Sequence, residues 1–122
     1  MRTPDAEARR WLRWDAAYCG GAGLVMLVLA APLGRLFHLP GSAVAALGAA
    51  TIVWALLLLR LTLSADWRPQ LRRVATVNAA ASIGVAVLAA VAPALAARLL
   101  LVAVAVEVAA FAFAQVRVLS RG

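Results

Sequence analysis

The sequence predicts an all-α membrane protein, a four-transmembrane-helix up-down bundle with its N- and C-termini in the cytoplasm. Of its 122 residues, 66% are hydrophobic and 14% are charged, so the chain has too little polar surface to cover a soluble globule. Arginines cluster at the ends of the apolar runs, as membrane orientation requires. We expect a single integral membrane domain, 1–122. Four apolar runs are long enough to span a bilayer, at about 16–36, 42–60, 70–91 and 94–116.

The first fifteen residues are basic and aromatic, with four arginines against three acids and with Trp11 and Trp14 between them. Thr3 followed by Pro4 is typical of a helix start. The tryptophans are expected at headgroup depth. Two interpretations remain open: an amphipathic helix on the membrane surface, or the flanking anchor of the first span, which we favour.

The first span is rich in glycine and then in leucine and valine, and Pro32 near its far end is expected to kink or end it. A signal peptide is the competing interpretation, because Ala30-Ala31 follows an apolar core. Arg35 comes too soon after that pair for an ordinary mature N-terminus. His38 lies in the following turn, where we expect a solvated loop residue rather than a ligand.

The second span ends at Arg60, and the loop that follows, to Arg73, is the most strongly charged loop of the chain. Pro69 marks the start of the third span and Pro93 that of the fourth. Because the turn between the last two spans has only a few residues, they are expected to form a tight antiparallel pair.

An even number of spans puts both termini and the Arg60–Arg73 loop on one side of the membrane. The opposite side then carries only Arg35, His38 and Arg98 as basic residues. The positive-inside rule makes the arginine-rich side cytoplasmic. The sequence therefore predicts a multi-pass protein of the cell inner (plasma) membrane, with the lipid bilayer as its first partner.

One acid, Glu107, lies near the centre of the fourth span. Arg98 is nine positions before it and Arg117 ten after it, so both lie roughly 13 to 15 Å away along the axis, about half a hydrocarbon thickness. A carboxyl group at mid-membrane is costly in lipid. We therefore expect Glu107 to face other helices and treat it as a functional-site candidate.

Counting inward from the cytoplasmic basic residues identifies two layers of polar residues. The mid-membrane layer comprises Glu107, Thr51, Ser82 and Gly23. The cytoplasmic-side layer comprises Asp15, Arg60, Asn78 and Gln115.

The two layers allow two hypotheses. In the first, Glu107 titrates or binds a cation with Thr51 and Ser82 as hydroxyl partners, and the cytoplasmic-side layer is a gate or coupling network. In the second, all of these residues hold helices together through hydrogen bonds of about 0.6 kcal/mol each. In either hypothesis Asp15 and Arg60 are the expected ion pair.

The remaining composition excludes several kinds of site. Cys19 and His38 are the only residues of their types, too few for an intramolecular disulfide or a structural zinc site in one chain. We expect no metal and no cofactor. The net charge of +7 follows membrane orientation, so we do not expect nucleic-acid binding. The Ala80 to Gly84 spacing suits either a homodimer face or packing inside the bundle.

Several segments resemble a broad group of small, uncharacterised bacterial four-span membrane proteins. They are Asp15 to Gly23, the Leu39-Pro40 turn, the arginine-rich loop with Val74 to Asn78, and Gln115 to Arg117. The resemblance covers most of the chain and implies no activity. Small multidrug-resistance exporters have a similar length, but their membrane glutamate lies in the first span. Fluoride channels share the size, but their Gly/Asn-rich motifs are absent here.

The expected function is that of a non-enzymatic structural, interaction or accessory membrane protein that associates with itself or with a membrane partner. The sequence contains no arrangement of nucleophile, base and acid that defines an enzyme. The alternative is a dimeric transporter or channel, coupled to protons or cations, that uses Glu107.

Overall fold

The computed structural model describes residues 2–121, which form five α-helices. Three of the helices are long and apolar enough to cross a membrane, and a fourth span results if the bent pair formed by the first two helices is counted as one. The all-α class is confirmed, and the long apolar helices indicate a membrane protein. The helices are α1 (Pro4–Val28), α2 (Ala30–Phe37), α3 (Gly41–Leu61), α4 (Trp67–Val91) and α5 (Leu95–Arg121).

Helix α1 starts where the sequence predicts a helix start. The Thr3 hydroxyl accepts a hydrogen bond from the Ala6 backbone N–H at 3.3 Å, and a proline occupies the first turn. Asp5 and Glu7 lie in the same turn, where their charges favour the helix dipole. The helix then continues without interruption to Val28. The basic N-terminal segment is therefore part of the first apolar helix and not a separate one.

The first predicted span, 16–36, is not one straight helix. Helix α1 ends at Val28, and α2 continues after Leu29 at an angle of 88° to it. Pro32 explains the break, since it cannot donate a hydrogen bond to the Val28 carbonyl and its ring crowds that group. Pro32 lies in the first turn of α2, where a backbone N–H group would have no acceptor within the helix, so its missing N–H costs no hydrogen bond. The proline was expected to kink or end the span, and the break lies three residues before it.

Helix α2 ends at Phe37, and the residue that caps it, His38, adopts a left-handed backbone conformation with φ of 57°. The next N–H, that of Leu39, donates to the Gly34 carbonyl at 2.8 Å and closes the helix end. Pro40 then precedes the first residue of α3. His38 is exposed in this turn, as expected for a solvated loop residue.

The long helices form two close pairs, α1 with α3 and α4 with α5, while α2 lies against α3. Helix α1 also contacts α5 and α4, which joins the pairs. The main core lies at the end of the molecule that carries both termini, and further aromatic and aliphatic side chains pack around it. Its buried residues are Ala8, Leu12, Ala16, Leu58, Leu71, Val74 and Val118.

Helices α1 and α3 make their closest approach at Gly23 and Gly48. A Cβ atom added to Gly23 would lie 2.7 Å from the Gly48 carbonyl oxygen and 2.7 Å from the Ile52 side chain. One added to Gly48 would lie 2.8 Å from the Gly23 carbonyl oxygen and 2.9 Å from Met26 Cβ. Two backbones can approach this closely only where neither residue has a side chain, as is common between membrane helices.

Arg9 connects the start of α1 to the loop after α3. Its guanidinium donates to the backbone carbonyls of Thr62 and, at 3.1 Å, of Ser64, and it pairs with Asp5 at 3.1 Å. A cation is favourable at the C-terminal end of a helix, where the carbonyls lack intrahelical partners. The start of α1, the end of α3 and the loop after α3 are thereby held together.

Candidate functional site

Three buried polar side chains form a closed cluster of hydrogen bonds between α1, α4 and α5. Asn78 Nδ2 donates to Asp15 Oδ2 at 2.6 Å and to Gln115 Oε1 at 3.1 Å. Gln115 Nε2 donates to the same Asp15 oxygen at 2.8 Å. The three residues are 1%, 5% and 0% exposed in the order Asp15, Asn78, Gln115. We call this set the carboxylate–amide cluster.

Each member of the carboxylate–amide cluster lies on the buried face of its helix. Asp15 lies three residues after buried Leu12, and Asn78 lies four after buried Val74. Residues three or four apart lie on the same side of a helix. The core at the terminal end of the bundle therefore extends directly into the polar cluster, which lies one turn deeper along the helices.

The hydrogen bonds of the cluster use most of its polar capacity. Asp15 Oδ2 accepts two amide donors, and Oδ1 accepts the Cys19 thiol at 3.5 Å. Both N–H groups of the Asn78 amide are engaged. A satisfied buried network of this kind holds its helices in one arrangement, since each broken bond would leave a buried polar group without a partner.

The structure brings together three of the four residues predicted for the cytoplasmic-side layer and leaves out Arg60. Arg60 is exposed, and within residues 2–121 the ion pairs are Arg9–Asp5 and Arg121–Glu7. The expected Asp15–Arg60 ion pair is therefore absent from this part of the chain. Arg60 lies two positions after buried Leu58, and two residues along a helix correspond to the opposite side.

The residues of the mid-membrane layer, in contrast, do not form a hydrogen-bonded network with one another. The Thr51 hydroxyl donates to the Leu47 carbonyl of its own helix at 2.8 Å. Ser82 donates to the Ala105 carbonyl, also at 2.8 Å, which links α4 to α5. Neither hydroxyl reaches Glu107. The expected hydrogen-bonded set of these three residues is corrected by this geometry.

Glu107 is exposed on the surface of α5, whereas the sequence predicted that it faces other helices. Buried Ala105 lies two positions before it, so Glu107 is on the far side of its helix from α4. The Tyr18 side chain of α1 lies close to this part of α5, although no hydrogen bond joins it to Glu107 among residues 2–121. Phe111, one turn further on, packs against the Tyr18 ring with centroids 5.5 Å apart.

Gly23, the fourth member of the mid-membrane layer, is buried against Gly48 and Ile52. Its position depends on the backbone contact between α1 and α3. It takes no part in polar contacts of Glu107.

Two residues near the carboxylate–amide cluster, Tyr18 and Cys19, were not predicted from the sequence as site residues. Both lie one turn after Asp15, at spacings of three and four residues, which place them beside it on α1. That spacing was the available signal. Sequence reasoning also missed Arg9, which was interpreted only as an orientation charge although it binds the loop after α3.

No group of three or more His, Cys, Asp or Glu residues that could hold a metal ion occurs within residues 2–121. No family model matches the chain, and no match is found among curated proteins or solved structures. Fold and site therefore define the class directly. It is an all-helical membrane protein with three or four helices long and apolar enough to span a bilayer, a buried carboxylate–amide cluster, and one exposed carboxyl group on its last helix.

Proposed function

We propose that this chain is a small, non-enzymatic protein of the bacterial inner membrane that acts by associating with a second membrane-embedded chain, namely another copy of itself. The observation that carries the proposal is the exposure of Glu107 in the middle of an apolar helix. A carboxyl group facing lipid at that depth costs several kcal/mol. A second helix that covers Glu107 and hydrogen-bonds to it removes this cost.

The surface around Glu107 suits close contact with another helix. Ala103 and Ala110, four residues before and three after the acid, lie on the same side of α5 and are exposed. Small side chains let two membrane helices approach closely. We call Ala103, Glu107 and Ala110 the α5 outer face. Two such faces from two copies bring the two Glu107 side chains together and away from the lipid.

The interior of the chain supports a packing role rather than catalysis. The buried polar side chains of α1, α4 and α5 hydrogen-bond to one another in the carboxylate–amide cluster. Their donors and acceptors are directed inward. What the chain offers to a partner is therefore its outer surface.

The proposal includes four membrane crossings, with the bent α1 and α2 pair as the first and both termini in the cytoplasm. The Arg9 contacts and the Arg121–Glu7 pair, at 3.0 Å, hold the helix ends near the termini together. Helices α4 and α5 run antiparallel, because Ser82 bonds to Ala105 whereas Asn78, earlier in α4, bonds to Gln115, later in α5. The surplus of arginines at this end favours the cytoplasmic side.

Topology is tested with single cysteines in a Cys19→Ser background. Leu39→Cys is expected to react with a membrane-impermeant maleimide added to spheroplasts, and Ala65→Cys to react only after the membrane is opened. Both positions are exposed, so differences in labelling report the side of the membrane. Labelling of both from the same side would contradict the four-crossing arrangement.

Association through the α5 outer face is tested by disulfide crosslinking in native membranes. In the Cys19→Ser background, Ala103→Cys and Ala110→Cys are each expected to give an adduct of twice the monomer mass on mild oxidation. Glu107→Leu added to either is expected to abolish the adduct, because the interfacial hydrogen bond is lost. Glu107→Gln is expected to preserve it, because the amide still bonds across the interface.

Val116→Cys is the matched control. Val116 is 52% exposed and lies nine residues after Glu107, a spacing that puts it on the opposite side of α5. Equal crosslinking at Val116→Cys and Ala110→Cys would indicate random collision and contradict the proposed face. An adduct of any mass other than twice the monomer would assign the face to a different chain.

A second candidate function is proton-coupled or cation-coupled transport by a dimer. The presence of the Glu107 carboxyl group in an apolar helix favours it, since ionisable groups within membrane helices often serve ion or proton pathways. In this case wild-type proteoliposomes carry a flux across a pH gradient that Glu107→Gln abolishes. If the wild-type chain gives the crosslinked dimer but its proteoliposomes carry no flux, the result supports the first candidate function and contradicts transport.

A further inference from the structure

A groove on the protein surface lies between the first half of α1 and the second half of α5. Its lining consists of Arg10, Trp11, Trp14 and Phe111. The Trp11 and Phe111 rings meet edge to face with centroids 6.1 Å apart. Trp14, which also lines the groove, is 61% exposed. The groove is therefore mostly aromatic, with a single cation.

That cation, Arg10, lacks a matching anion. Its guanidinium lies 5.5 Å from the centre of the Trp11 ring, and its Nε is buried without a hydrogen-bond partner among residues 2–121. The nearby acids are engaged elsewhere, because Asp5 pairs with Arg9 and Glu7 pairs with Arg121. A buried donor without an acceptor is unfavourable. Arg10 makes no ion pair and no side-chain hydrogen bond among residues 2–121, so its guanidinium beside the aromatic rings has charge-assisted donor capacity left.

We propose that this groove binds one anionic phospholipid, with the phosphodiester oxygens accepting hydrogen bonds from Arg10 and the upper acyl chain lying against Trp14 and Phe111. Arginine binds phosphate oxygens through a planar fork of N–H groups. The rings supply the apolar contact that a chain-bearing ligand needs and a bare inorganic anion does not. Charge and apolar surface in the groove thus match the two parts of one lipid.

The depth of the groove agrees with a lipid headgroup. Arg10 lies five residues before Asp15 on α1, which is roughly 7 to 8 Å closer to the terminal end of the bundle. Tryptophan and arginine at that level are typical of the membrane interface. This inference requires insertion of α1 in the membrane but is independent of association through the α5 outer face.

The test uses the full chain in phosphatidylcholine vesicles that contain bromine-labelled phosphatidylglycerol or bromine-labelled phosphatidylcholine. Quenching of tryptophan fluorescence reports the preference for the anionic lipid. Arg10→Gln is expected to lower that preference about tenfold or more, the effect of losing a hydrogen bond that involves a charged group. Arg10→Lys, which keeps the charge but loses the fork, is expected to recover only part of it.

Arg13→Gln is the matched control. Arg13 carries the same charge, is exposed and lies one turn from Arg10, but it does not line the groove. Arg13→Gln is expected to lower the preference by less than about twofold, because an exposed charge is screened by salt. Equal losses for Arg10→Gln and Arg13→Gln would show diffuse surface attraction and overturn the proposal. So would an unchanged preference in Arg10→Gln.

Two further measurements complete the test. Inorganic phosphate added to the vesicles is expected to leave the quenching unchanged; if it relieves the quenching, the groove is a simple anion site and the lipid assignment is wrong. Thermal unfolding in detergent is expected to be the same for all variants. A crosslinking failure at Ala103→Cys and Ala110→Cys would contradict the proposed association and leave the lipid result unaffected.

Discussion

Gly23→Ala is expected to destabilise the protein by about 1–3 kcal/mol, the usual range for extra atoms forced into a packed interface. The added methyl group would lie 2.7 Å from the Gly48 carbonyl oxygen and from the Ile52 side chain. The carbonyl belongs to the backbone of α3 and cannot rotate away, so α1 and α3 must separate. The quantity to measure is the free energy of unfolding in mixed micelles.

Gly21→Ala is the matched control on the same helix. A Cβ atom there has nothing within 4 Å in the described part of the chain, and alanine favours a helix over glycine by roughly 0.5–1 kcal/mol. The free energy of unfolding of Gly21→Ala is expected to stay the same as in wild type or to rise. Gly48→Ala should resemble Gly23→Ala, and the double variant should cost less than the sum, since one separation accommodates both methyl groups. Equal stability of Gly23→Ala and Gly21→Ala would contradict the close approach.

Asp15→Leu is expected to reduce the free energy of unfolding by about 2–5 kcal/mol, because two buried amides lose their common acceptor and each unsatisfied group costs about 1–3 kcal/mol. Asn78 and Gln115 retain only the 3.1 Å bond between themselves. In contrast, Asp15→Asn keeps one carbonyl oxygen that can accept from both amides. It should therefore remain much closer to wild type than Asp15→Leu.

Thr51→Val is the control for the Asp15 variants, since Thr51 donates only to Leu47 of its own helix. Its effect is expected to stay within about 0.5 kcal/mol. A loss in Asp15→Asn as large as in Asp15→Leu would mean that the negative charge, and not the hydrogen-bonded arrangement, stabilises the bundle. Asn78→Leu combined with Gln115→Leu should lower the free energy of unfolding by less than the sum of the two single changes.

Depth along each helix was predictable from the sequence, and direction around each helix was not. Asp15, Asn78 and Gln115 were assigned to one layer by counting residues from the basic ends, and the structure joins them by hydrogen bonds. The same counting put Arg60 beside Asp15, yet Arg60 points outward. Counting uses the constant rise per residue, which carries no information about which side of the helix a neighbour occupies.

Glu107 shows the same limit in the fourth predicted span. Its depth followed from Arg98 and Arg117, but its exposure depends on which side of α5 packs against α4, and that side carries Ala105 instead. The break near Pro32 was predictable as a chemical consequence of proline. The 88° direction of α2 after the break depends on its contacts with α3.

The sequence by itself determined that this is an all-helical membrane protein, where its long helices lie, and which polar residues share a depth. These properties depend on local hydrophobicity, helix starts and a constant rise per residue. Only the tertiary structure decided the pairing of α1 with α3 through Gly23 and Gly48, the closed carboxylate–amide cluster and the outward direction of Glu107. The physical reason is that helix rotation is set by contacts between segments far apart in the chain, where one close backbone approach or one buried hydrogen bond outweighs any local preference.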